Sequence, residues 1–340
     1  MEEALLYEKL SDNKVQCNLC HFRCVIAEDK AGFCKVRVNR GGVLYTLLDS
    51  FASSVALDPI EKKPLFHFYP GSLALSFGTW GCNFRCRGCQ NYDISRFVPS
   101  EEKFAAVSKH ISPKEAVEMA LSYGAKGIAW TYNEPTIWFE YTLETAKLAK
   151  ASGLYTAYVT NGSMTSEGLD LIGPFLDAFR VDVKAFSEES YKKITPIFDW
   201  KKILETTAYA KSKWNMHIEI VTNVIPGIND NLTEMRNLAK WIRTSLGKKT
   251  PWHLTRFYPY LDLANIPPTP VEELEKIHDI GIEEGLNFVY IGNIMGHPYE
   301  DTYCPKCKRR VIRRNGFEIV ENHTHNGKCD FCGEDLEIVE

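Results

Sequence analysis

Sulfur carries the chemistry that can be read from this chain: its eleven cysteines stand in three islands with no stray member. The central island, Cys82, Cys86 and Cys89, has the spacing C-x3-C-x2-C within Gly81-Cys82-Asn83-Phe84-Arg85-Cys86-Arg87-Gly88-Cys89. Three thiolates on a short loop can hold three irons of a four-iron cluster and leave the fourth iron open to a small molecule. A zinc loop is the competing reading, but zinc needs a fourth ligand and no histidine lies in the loop. The flanking islands each offer four sulfurs, the count of a closed site. Cys304, Cys307, Cys329 and Cys332 form two C-x2-C knuckles of the zinc-ribbon type, which rubredoxin-like iron would also fit. Cys17, Cys20, Cys24 and Cys34 are compatible with zinc and with a second iron–sulfur cluster, and their spacing does not choose between them. His323 and His325 read as exposed loop histidines. Lys306, Lys308, Arg309, Arg310, Arg313 and Arg314 read as a solvated basic face, with a patch for an acidic partner or RNA as the alternative.

These sulfurs need a scaffold, and the segment between the second and third islands supplies one. Short β-rich runs at 73–77, 127–131, 155–160, 178–183, 217–222, 252–257 and 287–291 alternate with amphipathic stretches at 113–122, 138–151, 166–176, 201–212, 232–246 and 270–284. That alternation predicts an α/β fold with parallel strands, a partial or nearly closed (β/α) barrel. Small cysteine-rich metal modules should flank it, giving divisions at 1–68, 69–298 and 299–340. Chemistry in such folds sits at the carboxyl ends of the strands. Here those ends carry Asn133, Glu134, Asn161, Asp182, Lys184, Asn223, Arg256 and Asn293. Arg256 would suit an anionic substrate group or a carboxylate. His67, in the aromatic run before the first strand, reads as a packed core histidine rather than a roof over the cavity.

The central loop resembles, cysteine for cysteine, the signature of the radical S-adenosylmethionine (SAM) enzymes. The resemblance implies that a [4Fe–4S] cluster binds SAM through its open iron and breaks a carbon–sulfur bond, and that the resulting 5′-deoxyadenosyl radical abstracts hydrogen from a substrate. It further implies SAM-binding roles for Asn133 and Glu134, where Glu134-Pro135 matches the end of a Gly-Gly-Glu-Pro-like segment. The same holds for Asp182 and Lys184 on the ribose and carboxylate, and for the Asn161-Gly162-Ser163 and Ile225-Pro226-Gly227 loops. The stretches from Asp58 to Gly71 and from Thr302 to Cys307 resemble the radical SAM member of the AmmeMemoRadiSam system, with Arg87 where that family commonly has proline. That family is related to the activating enzymes of pyruvate formate-lyase. The implied partners are a one-electron donor, ferredoxin or flavodoxin, and either a protein substrate receiving a glycyl radical or AMMECR1-like and Memo-like proteins; modification of a small molecule is the other outcome.

Composition bounds the rest. In 340 residues, 44% hydrophobic and 25% charged, there is enough apolar material for a sizeable core, which excludes a disordered chain or a stapled mini-scaffold. A net charge of −4 gives no reason to expect wholesale nucleic-acid or membrane binding. Acids at Glu2 and Glu3, where a secretory signal carries cations, point to the cytoplasm. Two rivals to an oxidoreductase with unknown substrate remain: a non-catalytic metal scaffold or electron carrier, and an RNA-modifying radical enzyme using the basic C-terminal module.

Overall fold

The strands Leu73–Gly78, Gly127–Trp130 and Tyr155–Thr160 are almost wholly buried, as apolar runs covered on both faces must be. They pair in parallel, with Gly127 opposite Ala74 and Tyr155, and Trp130 opposite Phe77 and Tyr158. The computed structural model describes residues 1–196 and 199–340. It divides into two units, the first comprising Met1–Asp58, Leu73–Phe179 and Pro196–Met216, the second Pro59–Ser72, Arg180–Thr195 and His217–Glu340. In the first unit Ser54–Pro59 flanks Leu73–Gly78 at an open edge. The helix Pro113–Ser122 starts where the sequence places it: Ser112 Oγ accepts from the Glu115 N–H, and Glu115 Oε2 accepts from the Ser112 N–H at 2.8 Å.

In the second unit His217–Val224, Trp252–Arg256 and Val289–Gly292 also pair in parallel, and Val289–Gly292 is again an open edge. All seven expected strands are present with ends shifted by at most two residues, in the parallel α/β arrangement the sequence predicts. The helix expected over 166–176 stops at Ile172, because Pro174 lacks an N–H and its ring blocks a further turn. A helix at Glu188–Ile194, capped by Ser187, was not anticipated.

A fully buried carboxylate, Glu219, ties the lead-in segment to this sheet. It accepts from the Phe66 and His67 N–H groups at 3.0 and 2.8 Å and from Nε2 of His217 and His253 at 2.9 and 2.6 Å. Burial alone would raise its carboxyl, but the bonds from His217 and His253 outweigh that and hold it well below the usual range. His67 is packed, as expected: Nδ1–H donates to Leu336 O at 3.1 Å, Nε2 accepts from the Tyr290 hydroxyl at 2.6 Å, and burial lowers its pKa to about 3. The C-terminal sheet of Thr302–Tyr303, Arg310–Asn315 and Glu318–Asn322 buries Val311 and Ile312 in one cluster with Phe66, Phe288 and Tyr290. A register shift between Arg313 and Arg314 turns Arg314 inward. Its guanidinium lies 4.1 Å above the Phe66 ring and donates to Phe66 O at 3.0 Å, so Arg314 leaves the expected solvated basic face.

Candidate active site

Cys82, Cys86 and Cys89 lie on the loop that follows Leu73–Gly78, at its carboxyl end. Gly81 opens that loop with φ +85°, and a Cβ there would meet Cys34 O and Val36 at 3.0 Å, so only glycine fits. Asn133 fixes the loop's start from the neighbouring strand end: its Oδ1 accepts from the Thr79 N–H at 3.1 Å and its Nδ2 donates to Gly81 O at 2.7 Å. Further along, Arg96 donates to Cys86 O at 2.8 Å and Arg85 to Ser95 O at 3.1 Å. The Phe84 N–H points at Cys82 Sγ at 3.3 Å, and Ser95 Oγ lies beside Cys89 Sγ at 3.3 Å. Burial, reinforced by Glu134 and Cys86, raises the Cys82 thiol well above its usual value, so a thiolate there calls for a cation. These three cysteines do not belong to any set of three or more His, Cys, Asp or Glu ligand atoms lying mutually within 4.8 Å among the described residues. The donor set and its open spacing fit an iron–sulfur cube better than a single ion.

Glu134 is 2% exposed and serves as a hub. Its Oε1 accepts from the Thr136 N–H, the Thr136 hydroxyl and the Thr160 hydroxyl at 3.1, 2.6 and 2.7 Å, and its Oε2 accepts from the Asn161 N–H at 2.8 Å. Burial nonetheless leaves its carboxyl above the usual range. The Asn161 side chain donates to Asn83 Oδ1 at 2.8 Å, and Asn83 donates to Ser163 Oγ at 2.6 Å, so the residue after Cys82 is bonded to the end of Tyr155–Thr160. The first unit therefore brings together the cysteine loop, Asn133, Glu134 and Asn161 through direct hydrogen bonds. Asn83, Thr136 and Thr160 belong to this network and were missed, since single Asn and Thr residues carry no spacing signal.

In the second unit Asp182 is bracketed by two cations: Arg180, which the sequence reading overlooked, and Lys184 at 3.1 Å. Burial opposes ionisation, but Arg180 and then Lys184 hold its carboxyl below the usual range. Buried Asn229 donates to Lys184 O at 2.6 Å and accepts from the Ile225 N–H at 2.6 Å, fixing the turn that contains Pro226 and Gly227. Asn223 donates to Thr255 Oγ1 at 3.1 Å, and Arg256 donates to Thr269 O at 2.9 Å while facing the Tyr258 ring at 5.4 Å. Asn293 donates to Arg256 O at 3.1 Å.

The C-terminal sulfurs behave differently. Cys304 and Cys332 stand 3.6 Å apart, Cys307 and Cys329 3.8 Å, and all four lie within 4.8 Å of one another. A zinc–sulfur bond of about 2.3 Å in a tetrahedron puts sulfurs about 3.8 Å apart, so this set fits a single tetrahedral ion. His323 packs beside the Phe331 ring, outside the quartet.

A cluster-type cysteine loop at the carboxyl end of a parallel strand, in an open α/β sheet, is the build of a metalloenzyme that works at its strand ends. The Radical SAM superfamily model matches residues 78–242. An uncharacterized protein of Methanocaldococcus jannaschii is 41% identical over the full length of both chains. The 4-hydroxyphenylacetate decarboxylase activating enzyme of Clostridium scatologenes is 21% identical over 61% of this chain and 70% of its own. A radical SAM methyltransferase from Sphaerobacter thermophilus shares the fold, with a TM-score of 0.50 and 16% identity over 66% of this chain and 68% of that one. The chain belongs to the radical SAM superfamily and is an enzyme of that type. Among the described residues no helix is long and apolar enough to cross a membrane.

Proposed function

We propose that the protein reductively cleaves SAM and uses the resulting radical to abstract hydrogen, with activation of a glycyl-radical partner protein as its leading role. The observation that carries the reading is the three-cysteine loop, open in spacing and braced at its start by Asn133. Cys82, Cys86 and Cys89 would hold three irons of a [4Fe–4S] cluster, which would supply the one electron that reductive cleavage of SAM requires. Asn133, Glu134 and Asn161 shape the SAM site by fixing the loop and the strand ends around it. Asp182, kept ionised by Arg180 and Lys184, is suited to accept from ribose hydroxyls, and Lys184 and Arg256 to face carboxylate. A one-electron donor of the ferredoxin or flavodoxin type reduces the enzyme.

The activating role draws support from the relative named as an activating enzyme. Resemblance over Asp58 to Gly71 and Thr302 to Cys307 supports association with AMMECR1-like and Memo-like proteins. An RNA substrate finds less support, because Arg310 and Arg313 are paired with Asp301 and Glu321 at 3.3 and 3.1 Å and Arg314 is internal. Anaerobically reconstituted protein given SAM and dithionite should release 5′-deoxyadenosine; an intact cluster with no such product would favour an electron carrier.

A further inference from the structure

The two four-cysteine islands, equal in count, are built to different dimensions. The C-terminal sulfurs have already closed to the size of one ion, whereas Cys17, Cys20, Cys24 and Cys34 form no set within 4.8 Å among the described residues. Instead all four wall one common cavity. The backbone fixes this wider ring. The Cys17 N–H donates to Cys24 O at 2.9 Å, the Arg23 N–H to Cys20 O at 3.0 Å, and the Phe33 N–H points at Cys24 Sγ at 3.5 Å.

What else lines the cavity indicates the charge of its occupant. Arg37, 2% exposed, pairs through Nη2 with Glu140, but its Nε and Nη1 are buried with no hydrogen-bond partner among the described residues. A buried guanidinium with two unused donors on a thiol-lined cavity calls for an anion rich in acceptors. Four thiolates on a single zinc would need the ring to contract to about 3.8 Å sulfur separations. Four thiolates on an iron–sulfur core fill a larger ring, and the core's own sulfides offer acceptors to the Arg37 donors. The Phe22 and Phe33 rings, stacked at 4.7 Å, also line the cavity and help shield it from water. Asn83, adjacent to Cys82, lines it too, so the site abuts the central cysteine loop.

We infer that Cys17, Cys20, Cys24 and Cys34 bind a second iron–sulfur cluster, with Arg37 donating into it, rather than a zinc ion. The inference stands apart from the proposed activity, since it concerns a different set of ligands. Its test is metal and sulfide analysis of the full-length chain, reconstituted anaerobically with iron, sulfide and zinc present. Wild type should hold about six or eight irons with equal sulfide and about one zinc, the lower iron count marking a two-iron and the higher a four-iron second cluster. A Cys82/Cys86/Cys89→Ala triple variant should keep about two or four irons with matching sulfide. Should that variant fail to fold, a Cys17→Ser/Cys20→Ser variant should instead lose the same two or four irons while its zinc stays unchanged. A wild-type count near four irons, whether accompanied by a second zinc or not, overturns the inference, as does an iron-free triple variant. Loss of zinc rather than iron in the Cys17→Ser/Cys20→Ser variant overturns it as well. A failure here with four irons still on the central loop would leave the proposed activity standing.

Discussion

Replacing Glu134 by glutamine tests whether one buried carboxylate organises the strand ends around the cysteine loop. The amide oxygen can take over the Oε1 position and keep its three donors from Thr136 and Thr160. The amide nitrogen must then face the Asn161 N–H, which loses its acceptor at 2.8 Å and meets another donor. Losing a hydrogen bond to a charged acceptor costs about 1.5 to 3 kcal/mol, and stranding a buried N–H costs about 1 to 3 kcal/mol, in part the same energy counted twice. Against this, the neutral amide escapes the burial cost that raises the Glu134 carboxyl. We expect a net loss near ~2 kcal/mol, concentrated at residues 160–163. Urea unfolding under anaerobic conditions reports the total. Native-state hydrogen exchange reports the place, with the Asn161 amide exchanging roughly thirty times faster, since each ~1.4 kcal/mol is tenfold. A variant as stable as the parent, with Asn161 exchange unchanged, would refute the hub role of Glu134.

Three further outcomes follow from the geometry. His67 is held neutral in the fold with a pKa of about 3, whereas the unfolded chain takes up that proton near 6.5; its contribution is complete above pH 6.5 and declines toward pH 3 by up to about 5 kcal/mol. Unfolding midpoints measured from pH 7 to 5 should therefore fall, and His67→Phe should flatten the fall; an equal slope in both proteins would count against this. Asn133→Ala frees the Thr79 N–H and Gly81 O and should cost about 1 to 2 kcal/mol while speeding iron loss to a chelator, read from the decay of visible absorbance; an unaltered decay contradicts the bracing role. Cys307→Ser should release about one zinc per chain and expose residues 299–340 to protease, because a closed thiolate site contributes much of such a segment's folding energy. Wild-type zinc content with an intact C-terminus would argue against the site.

The strands were legible because each is a short apolar run between turn signals, and the cysteine islands because metal ligands must recur at fixed spacings. Helix ends were less so: Pro174 stops one helix early, and the short Glu188–Ile194 helix offers too few turns for a periodic signal. Arg314 shows why burial of a charged residue escapes a pattern reading, since a single register shift moved it from solvent to the core. Glu219, Arg37 and Glu140 were missed for a related reason. Buried carboxylates and guanidiniums are recognised by partners far away in sequence, such as Phe66, His67 and His253 for Glu219, and no local motif announces them. Glu134 was found through the company of Pro135, but its neighbours Thr136, Thr160 and Asn83 became visible only once the strand ends were assembled.

The central claim is that the loop of Cys82, Cys86 and Cys89 leaves one iron for SAM. Electron paramagnetic resonance of the reduced, reconstituted protein tests it most directly, using SAM labelled with ¹⁵N or ¹⁷O at the amino or carboxylate group. The account predicts that SAM alters the cluster signal, that the label couples to it, and that both effects vanish in Cys82→Ala. A signal indifferent to SAM, in protein holding its full iron at these three cysteines, would contradict it.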